Sequence, residues 1–164
     1  MRTPLLLGLL LVSLALVGQD FTTHAYHTDD TEQLALDLFL PAADAPTPLV
    51  IFVHGGGFSG GNRTGGHALG KALSQQGIAV ASISYTLYMK GRTQDWSCDG
   101  ILPEKIKTIQ LAANQTWLAT KFLLDRAEEW NLDPEAVFIA GSSAGGETVL
   151  HAGYFDRQQM ALYK

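Results

Sequence analysis

Two glycine-rich segments contain the residues whose types and spacing could do chemistry. The first, residues 55–61, follows the apolar run 49–53, and the second, residues 141–146, follows the apolar run 136–140. Glycine lets a backbone approach another group closely and direct its N–H groups at that group. The first segment alone could hold the phosphates of a dinucleotide, a developing oxyanion, or nothing beyond an ordinary tight turn.

The second segment contains a serine in a pattern typical of a nucleophile. Ser143 is the centre of Gly141-Ser142-Ser143-Ala144-Gly145, a G-x-S-x-G pattern that lies between a predicted strand and a predicted helix. Such a turn is so sharp that the residues two before and two after the serine must be very small. It lifts the serine Oγ above the sheet at a helix N-terminus, where free N–H groups and the helix dipole favour negative charge. The alternative is a glycine-rich turn with an idle serine.

Two nucleotide-binding patterns are matched only in part, because each lacks another residue that such a site needs. Residues 55–60 satisfy G-x-G-x-x-G, but a dinucleotide site also needs an acidic residue about 20 positions on, and residues 74–94 contain no Asp or Glu. Residues 65–71, GGHALGK, nearly match a phosphate-binding loop, but Ala72 stands where Ser or Thr must bind magnesium. The sequence therefore disfavours nucleotide binding.

The predicted elements alternate between strands and helices after an initial hairpin. Apolar runs rich in β-branched residues are typical of strands buried on both faces, and we expect three of these. The order hairpin, then β-α-β-α-β-α, predicts an α/β fold with a mostly parallel sheet, an antiparallel N-terminal hairpin and helices on both faces. The predicted strands are 21–26, 34–40, 49–53, 78–85 and 136–140. The predicted helices are 66–76, about 106–130, and a third that begins after the glycine-rich segment 141–146 and ends at about 154.

Two of these elements carry patterns that predict which side chains are buried. Leucines alternate with other residues along 34–40, which is nearly the period of a half-buried strand. The longest helix repeats apolar residues at steps of three and four, which indicates a buried stripe. The predicted stripe consists of Ile106, Ile109, Ala113, Trp117, Thr120 and Leu124.

The two glycine segments together resemble the α/β-hydrolase superfamily. His54-Gly55-Gly56-Gly57-Phe58, with GSSAGG at 141–146, is similar to carboxylesterases and lipases with an HGGG oxyanion loop, over roughly residues 34–153. The resemblance implies that Ser143 attacks an ester carbonyl and that the backbone N–H groups of Gly56, Gly57 and Ala144 hold the oxyanion. His54 would then shape the loop and not act as the base. Thr86 stands where such esterases usually carry Arg, so we expect one contact of that family to be absent.

The catalytic triad that the resemblance implies is incomplete in this chain. In this fold the acid and then the histidine follow the serine, and the only acidic residues and histidine after Ser143 are Glu147, His151 and Asp156. His151 is eight positions along the same predicted helix, about 12 Å along its axis. We expect His24, His27 and His67 to be surface residues. Residues 19–164 are therefore expected to be the N-terminal portion of an α/β-hydrolase domain, without its distal strands, triad acid and histidine, and to be inactive alone.

The net charge and the N-terminal segment limit the cellular location and the binding partners that we expect. The net charge is −5 with no basic cluster, which argues against nucleic acid binding. Residues 1–18 contain Arg2 and then a short apolar segment, which is typical of a signal peptide. We therefore expect a secreted or periplasmic protein with no stable membrane anchor after signal removal. Cys98 is the one cysteine, so either it is a free thiol or its partner lies in the part of the domain expected to be missing.

Three functions remain open, and the sequence favours the first. A serine hydrolase would act on a small-molecule carboxylic ester, with no cofactor and no metal, since no metal-ligand spacing is present. A non-catalytic binding module of the same fold would need neither Ser143 nor the glycine loop. A serine exopeptidase would use the same oxyanion glycines for amides. The ester's acyl and alcohol parts and the oligomeric state are left open.

Overall fold

The computed structural model describes residues 20–92 and 102–154. Three predictions lie outside these residues: the signal peptide at 1–18, the unpaired Cys98 and the placement of Asp156. Within them the chain forms five strands, one short 3₁₀-helix and three α-helices. The strands are β1 (Thr22–Thr28), β2 (Gln33–Phe39), β3 (Thr47–Val53), β4 (Ala79–Ile83) and β5 (Leu132–Gly141). The 3₁₀-helix is Arg63–Gly66, and the α-helices are α1 (His67–Ser74), α2 (Leu102–Leu124) and α3 (Ala144–Tyr154).

The strands form one mixed sheet in the order β1-β2-β4-β3-β5. Strands β1 and β2 form the antiparallel hairpin, β2 pairs antiparallel with β4, and β3 pairs parallel with both β4 and β5. Val53 is opposite Ile83 on one side and Gly141 on the other. The three parallel strands therefore end at the same edge, which places the loops after β3 and β5 side by side. The predicted α/β sheet is confirmed.

Helices cover both faces of the sheet, as the element order predicts. On one face, Leu36, Ile51 and Ile83 belong to the main hydrophobic core together with Ala112 and Leu123 of α2. On the other face, the 3₁₀-helix and α1 approach so closely that a Cβ on Gly66 or Gly70 would overlap side chains of the sheet. Strand β2 is consequently buried on both faces, and the expectation of a half-buried strand is wrong, because Asp37 and Phe39 are each only 1% exposed.

The long helix differs from its prediction in length and in its buried face. It ends at Leu124, and turns then lead to β5, with the Leu132 N–H donating to the Ala127 carbonyl at 2.8 Å. The predicted stripe is only partly right, since Leu124 is exposed and Trp117 and Thr120 are half-buried. Small and polar side chains form much of the observed buried face, and a search for apolar periodicity does not identify them. That face includes Thr108, Ala112, Gln115, Thr116, Ala119 and Leu123.

Strand β5 also departs from its prediction. It begins at Leu132, so it includes most of the predicted turn at 131–134. It is not buried on both faces, and Phe138 is 58% exposed. Among the described residues β5 pairs with β3 alone, so one edge of the strand has no neighbour there. In the described ranges no helix combines the length and the apolar character needed to cross a membrane.

Candidate active site

The loops after β3 and β5 touch where the two strands end. The Ser142 N–H donates to the Val53 carbonyl at 3.2 Å, which joins the start of the second loop to the end of β3. A Cβ on Gly55 would lie 3.1 Å from the Ser143 Cβ and 2.7 Å from the Ser142 carbonyl oxygen. A Cβ on Gly145 would overlap the Val53 carbonyl oxygen. Only glycine fits at these two positions, so the contact between the loops depends on them.

Ser143 has a strained backbone on a sharp turn between β5 and α3. Its φ is +52°, in the left-handed region that side chains other than glycine rarely adopt. The Gly145 N–H donates to the Ser142 carbonyl at 2.9 Å, which closes the turn as α3 begins at Ala144. Ser143 is exposed. This geometry raises the serine at a helix N-terminus in the way that a nucleophile elbow requires.

The first glycine segment has an unusual backbone beside this turn. Gly56 and Gly57 have φ values of +124° and +58°. The Gly56 carbonyl accepts from the N–H groups of Ser59 and Gly60, at 3.1 and 3.0 Å. In the described part of the chain, the Gly56 and Gly57 N–H groups donate no hydrogen bond. Ala144 is the first residue of α3, so its N–H has no partner within that helix. Three backbone donors of the two loops thus have no acceptor in the described part of the chain.

His54 is buried beneath the glycine segment. Its ring is stacked on Tyr85, with centroids 4.4 Å apart, and the Tyr85 hydroxyl donates to the His54 carbonyl at 2.9 Å. Since a carbonyl can only accept, the His54 Nδ1 must donate to the Gly55 oxygen 2.7 Å away. Burial lowers the pKa of His54 and raises that of Tyr85 to about 12. A neutral, stacked and hydrogen-bonded ring fixes the start of the glycine segment.

An open cavity of about 330 Å³ lies beside the two loops. Its lining includes Phe52, Gly55, Asn62, Thr64 and Ser142, and none of its lining side chains is an Asp, Glu, Lys or Arg. Ser143, Gly56, Gly57 and Ala144 are not among the residues that line it. No cluster of three or more His, Cys, Asp or Glu that could hold a metal ion occurs in the described ranges.

A cluster of charged and polar side chains surrounds the buried carboxylate of Asp37, and it was not predicted from the sequence. The Asp37 carboxylate accepts from Arg63 Nε at 2.8 Å, from His67 Nε2 at 2.7 Å and from Thr23 Oγ1 at 2.7 Å. Burial alone would raise the pKa of Asp37, but the hydrogen bonds outweigh burial and the pKa lies below its ordinary value. A lone carboxylate inside the apolar run LALDLFL was the available signal, since buried Asp is rare unless it is paired.

The histidines outside the loop do not all lie free on the surface. His67 is about one-third exposed, but its ring contacts Asp37 and packs against Phe39, with ring centroids 5.4 Å apart. His24 is half-buried against Trp130, with ring centroids 4.8 Å apart. His151 Nδ1 lies 2.9 Å from the Glu147 carbonyl, one turn back along α3. Among these residues only His151 shares an element with the elbow, about two turns from Ser143.

Thr86 makes an uncharged contact where similar esterases usually carry Arg. Its Oγ1 lies 2.6 Å from both carboxylate oxygens of Glu32, and its N–H donates to Gln115 Oε1 at 2.8 Å. Gln115 Nε2 also donates to Thr86 Oγ1 at 2.6 Å. A hydroxyl and an amide thus contact the Glu32 carboxylate.

Comparison with known proteins supports the family suggested by the two loops. The family model described as BD-FAE matches residues 36–162, a span that includes the glycine segment and the elbow. The chain belongs to the BD-FAE family. This confirms the resemblance to α/β-hydrolases of the carboxylesterase kind. A probable isoprenylcysteine alpha-carbonyl methylesterase of Arabidopsis thaliana is 30% identical over 117 residues, which covers 71% of this chain and 21% of that protein. This BD-FAE chain spans roughly a fifth to a quarter of the length of the curated methylesterases that it matches.

Solved structures with the same fold are also esterases. A thermophilic esterase of Thermogutta terrifontis, in its native form, superposes with a TM-score of 0.63 at 18% identity, covering 81% of this chain and 44% of that one. The same organism's esterase 2, phosphorylated by paraoxon, gives 0.62 at 17% identity, covering 87% and 54%. At these identities the likeness establishes the fold. The incomplete α/β-hydrolase fold predicted from the sequence is confirmed.

Proposed function

We propose that the protein is a serine hydrolase that cleaves small carboxylic esters through an acyl-enzyme on Ser143. The observation that carries this proposal is the contact between the two loops. An exposed serine with a φ of +52° lies against a glycine segment that has free backbone donors. Relatives named as esterases, and esterases of the same fold among solved structures, support the ester as the substrate class.

In the proposed mechanism the Ser143 Oγ attacks the ester carbonyl and a general base takes its proton. The carbonyl oxygen becomes an oxyanion, which accepts hydrogen bonds from the N–H groups of Gly56, Gly57 and Ala144. Collapse of this intermediate expels the alcohol and leaves an acyl-serine, which water then hydrolyses. One backbone donor of this kind typically contributes about 10²–10³ to the rate. Glycine at two of the three positions leaves no side chain to obstruct the substrate.

The base in this proposal is neither His54 nor His151. His54 is 3% exposed and its Nδ1 is occupied by the Gly55 carbonyl. His151 is about 12 Å along the α3 axis from Ser143, whereas a base must lie within about 3.2 Å of the group it deprotonates. We therefore assign the base to a residue outside the described ranges.

Paired serine substitutions test the proposal in the complete natural protein. Ser143→Ala removes the nucleophile, and we expect kcat for a short-chain p-nitrophenyl ester to fall about 10⁴-fold or more. Ser142→Ala is the matched control, because this neighbouring serine is also exposed and its substitution leaves the turn intact. Equal activity of the two variants would refute Ser143 as the nucleophile. A wild type that hydrolyses peptides faster than esters would favour the exopeptidase alternative.

A further inference from the structure

The Asp37 cluster ties the 3₁₀-helix Arg63–Gly66 and the start of α1 to the sheet. Asp37 is on β2, whereas Arg63 belongs to the 3₁₀-helix and His67 is the first residue of α1. Both carboxylate oxygens are used, Oδ1 by Arg63 and Thr23 and Oδ2 by His67. The cluster is nearly closed to water at the carboxylate and about one-third exposed at Arg63 and His67.

A second tie holds the same 3₁₀-helix. The Ser82 Oγ of β4 donates to the Arg63 carbonyl at 2.7 Å. A Cβ on Gly66 would overlap this Ser82 hydroxyl, so the helix backbone lies directly on the strand. The Asn62 side chain accepts from the Thr64 N–H at 2.9 Å and caps the helix at its first turn. The side chain and the backbone of Arg63 are thus fixed at two different strands.

The tied helix follows directly after the glycine segment and constrains it. Gly61, the last residue of that segment, has a φ of +81°, and a Cβ there would overlap the Gly55 carbonyl oxygen and lie 2.7 Å from His54 Nδ1. The end of the segment therefore packs against its beginning. A shift of the 3₁₀-helix would move Gly61 relative to Gly55, and Gly55 is the residue that touches Ser143.

We propose that Asp37, with Arg63 and His67, is a positioning group that fixes the glycine segment in its oxyanion-binding geometry. This inference rests on the proposed function of Gly56 and Gly57. The cluster touches no reacting atom, so it acts through the position of their N–H groups. Because the oxyanion exists only after attack has begun, misplaced donors reduce kcat and leave the binding of the neutral ester nearly unchanged.

Substitutions of Arg63 provide the test, because Arg63 is partly exposed and its loss leaves the buried carboxylate with two hydrogen bonds. In the complete natural protein we expect Arg63→Gln to lower kcat about 10-fold or more with a KM change below about 3-fold. Arg63→Lys restores the positive charge and should recover part of kcat. The matched control is Lys71→Gln on α1, which breaks an exposed ion pair with Asp20 where both side chains are more than half exposed. We expect it to change neither parameter.

Amide hydrogen exchange of residues 55–61 separates this proposal from the proposed function. We expect faster exchange of that segment in Arg63→Gln, and unchanged exchange in Lys71→Gln. Exchange that is the same in both variants would overturn the proposal, as would a KM rise with kcat unchanged. If the wild type is inactive but Arg63→Gln still shows faster exchange, the esterase function is refuted. The role of the Asp37 cluster in fixing the glycine segment is then supported. If Arg63→Gln fails to fold, Ser82→Ala removes the hydrogen bond to the Arg63 carbonyl instead. We then expect the same changes in kcat, KM and amide exchange, and the same results would overturn the proposal.

Discussion

Ser143 has a backbone conformation that serine rarely adopts, and its neighbours explain how it is held there. Gly145 admits the Val53 carbonyl where any side chain would collide, and Gly55 passes beside the Ser143 Cβ. The strain of the left-handed φ is sustained because the surrounding contacts leave no alternative path for the chain. Glycine is thus required in both loops because the two backbones approach each other closely, and at some positions also because φ is positive.

Adjacent glycines in the elbow give a prediction at this scale. Gly145→Ala places a methyl group on the Val53 carbonyl oxygen, so we expect the variant to lose most of its activity and to melt at a lower temperature. Gly146→Ala places a methyl group 3.5 Å from the Gly141 carbonyl, an ordinary contact. Alanine in a helix is also about 0.5–1 kcal/mol more favourable than glycine. Thermal melting and ester hydrolysis are the measurements, and a Gly145→Ala variant as stable and active as Gly146→Ala would contradict the close approach.

At the scale of elements, the parallel strands position the two glycine loops, and strand β2 of the hairpin supplies Asp37. The common end of β3, β4 and β5 brings the two glycine loops together. The sequence was sufficient to predict the order of the elements and both loops, because apolar strands and glycine turns are local signals. It was insufficient for Asp37, whose partners Arg63 and His67 lie 26 and 30 positions away. It also misplaced the buried face of α2, since periodicity alone cannot tell which side of a helix with small residues meets the sheet.

Strand β2 provides a stability prediction at the element scale. Leu36 is fully buried in the main core, so we expect Leu36→Ala to lower the free energy of unfolding by about 2–5 kcal/mol. Leu40, just beyond the strand, is 39% exposed, and we expect Leu40→Ala to cost less than about 1 kcal/mol. Urea unfolding of both variants of the complete natural protein measures the difference. Equal losses would show that the core is not centred on this face of β2.

At the scale of the whole molecule, the buried carboxylate links stability to pH. Asp37 has a pKa below that of an unfolded Asp, because the hydrogen bonds from Thr23, Arg63 and His67 outweigh its burial. A lowered pKa contributes stability that is fully present above the unfolded value of about 3.9 and is lost as the pH falls through the folded value. The contribution is therefore complete at neutral pH and disappears in acid.

The variant Asp37→Asn tests this linkage. We expect it to be less stable than wild type at pH 6, because Arg63 loses its carboxylate partner. The difference in free energy of unfolding should shrink as the pH is lowered from about 4 towards 2, because Asp37 of the wild type becomes protonated. Urea unfolding at a series of pH values gives the two curves. A difference that stays constant across this range would show that Asp37 does not titrate with the lowered pKa.

The central claim is that Ser143 is the nucleophile of an ester hydrolase, and covalent labelling tests it most directly. The complete natural protein would be treated with a fluorophosphonate, and the modified residue would be located by peptide mass spectrometry. We predict one phosphonylated residue, Ser143, and no labelling of the Ser143→Ala variant under the same conditions. Labelling at Ser142 or elsewhere, or a folded wild type that is not labelled at all, would contradict the claim.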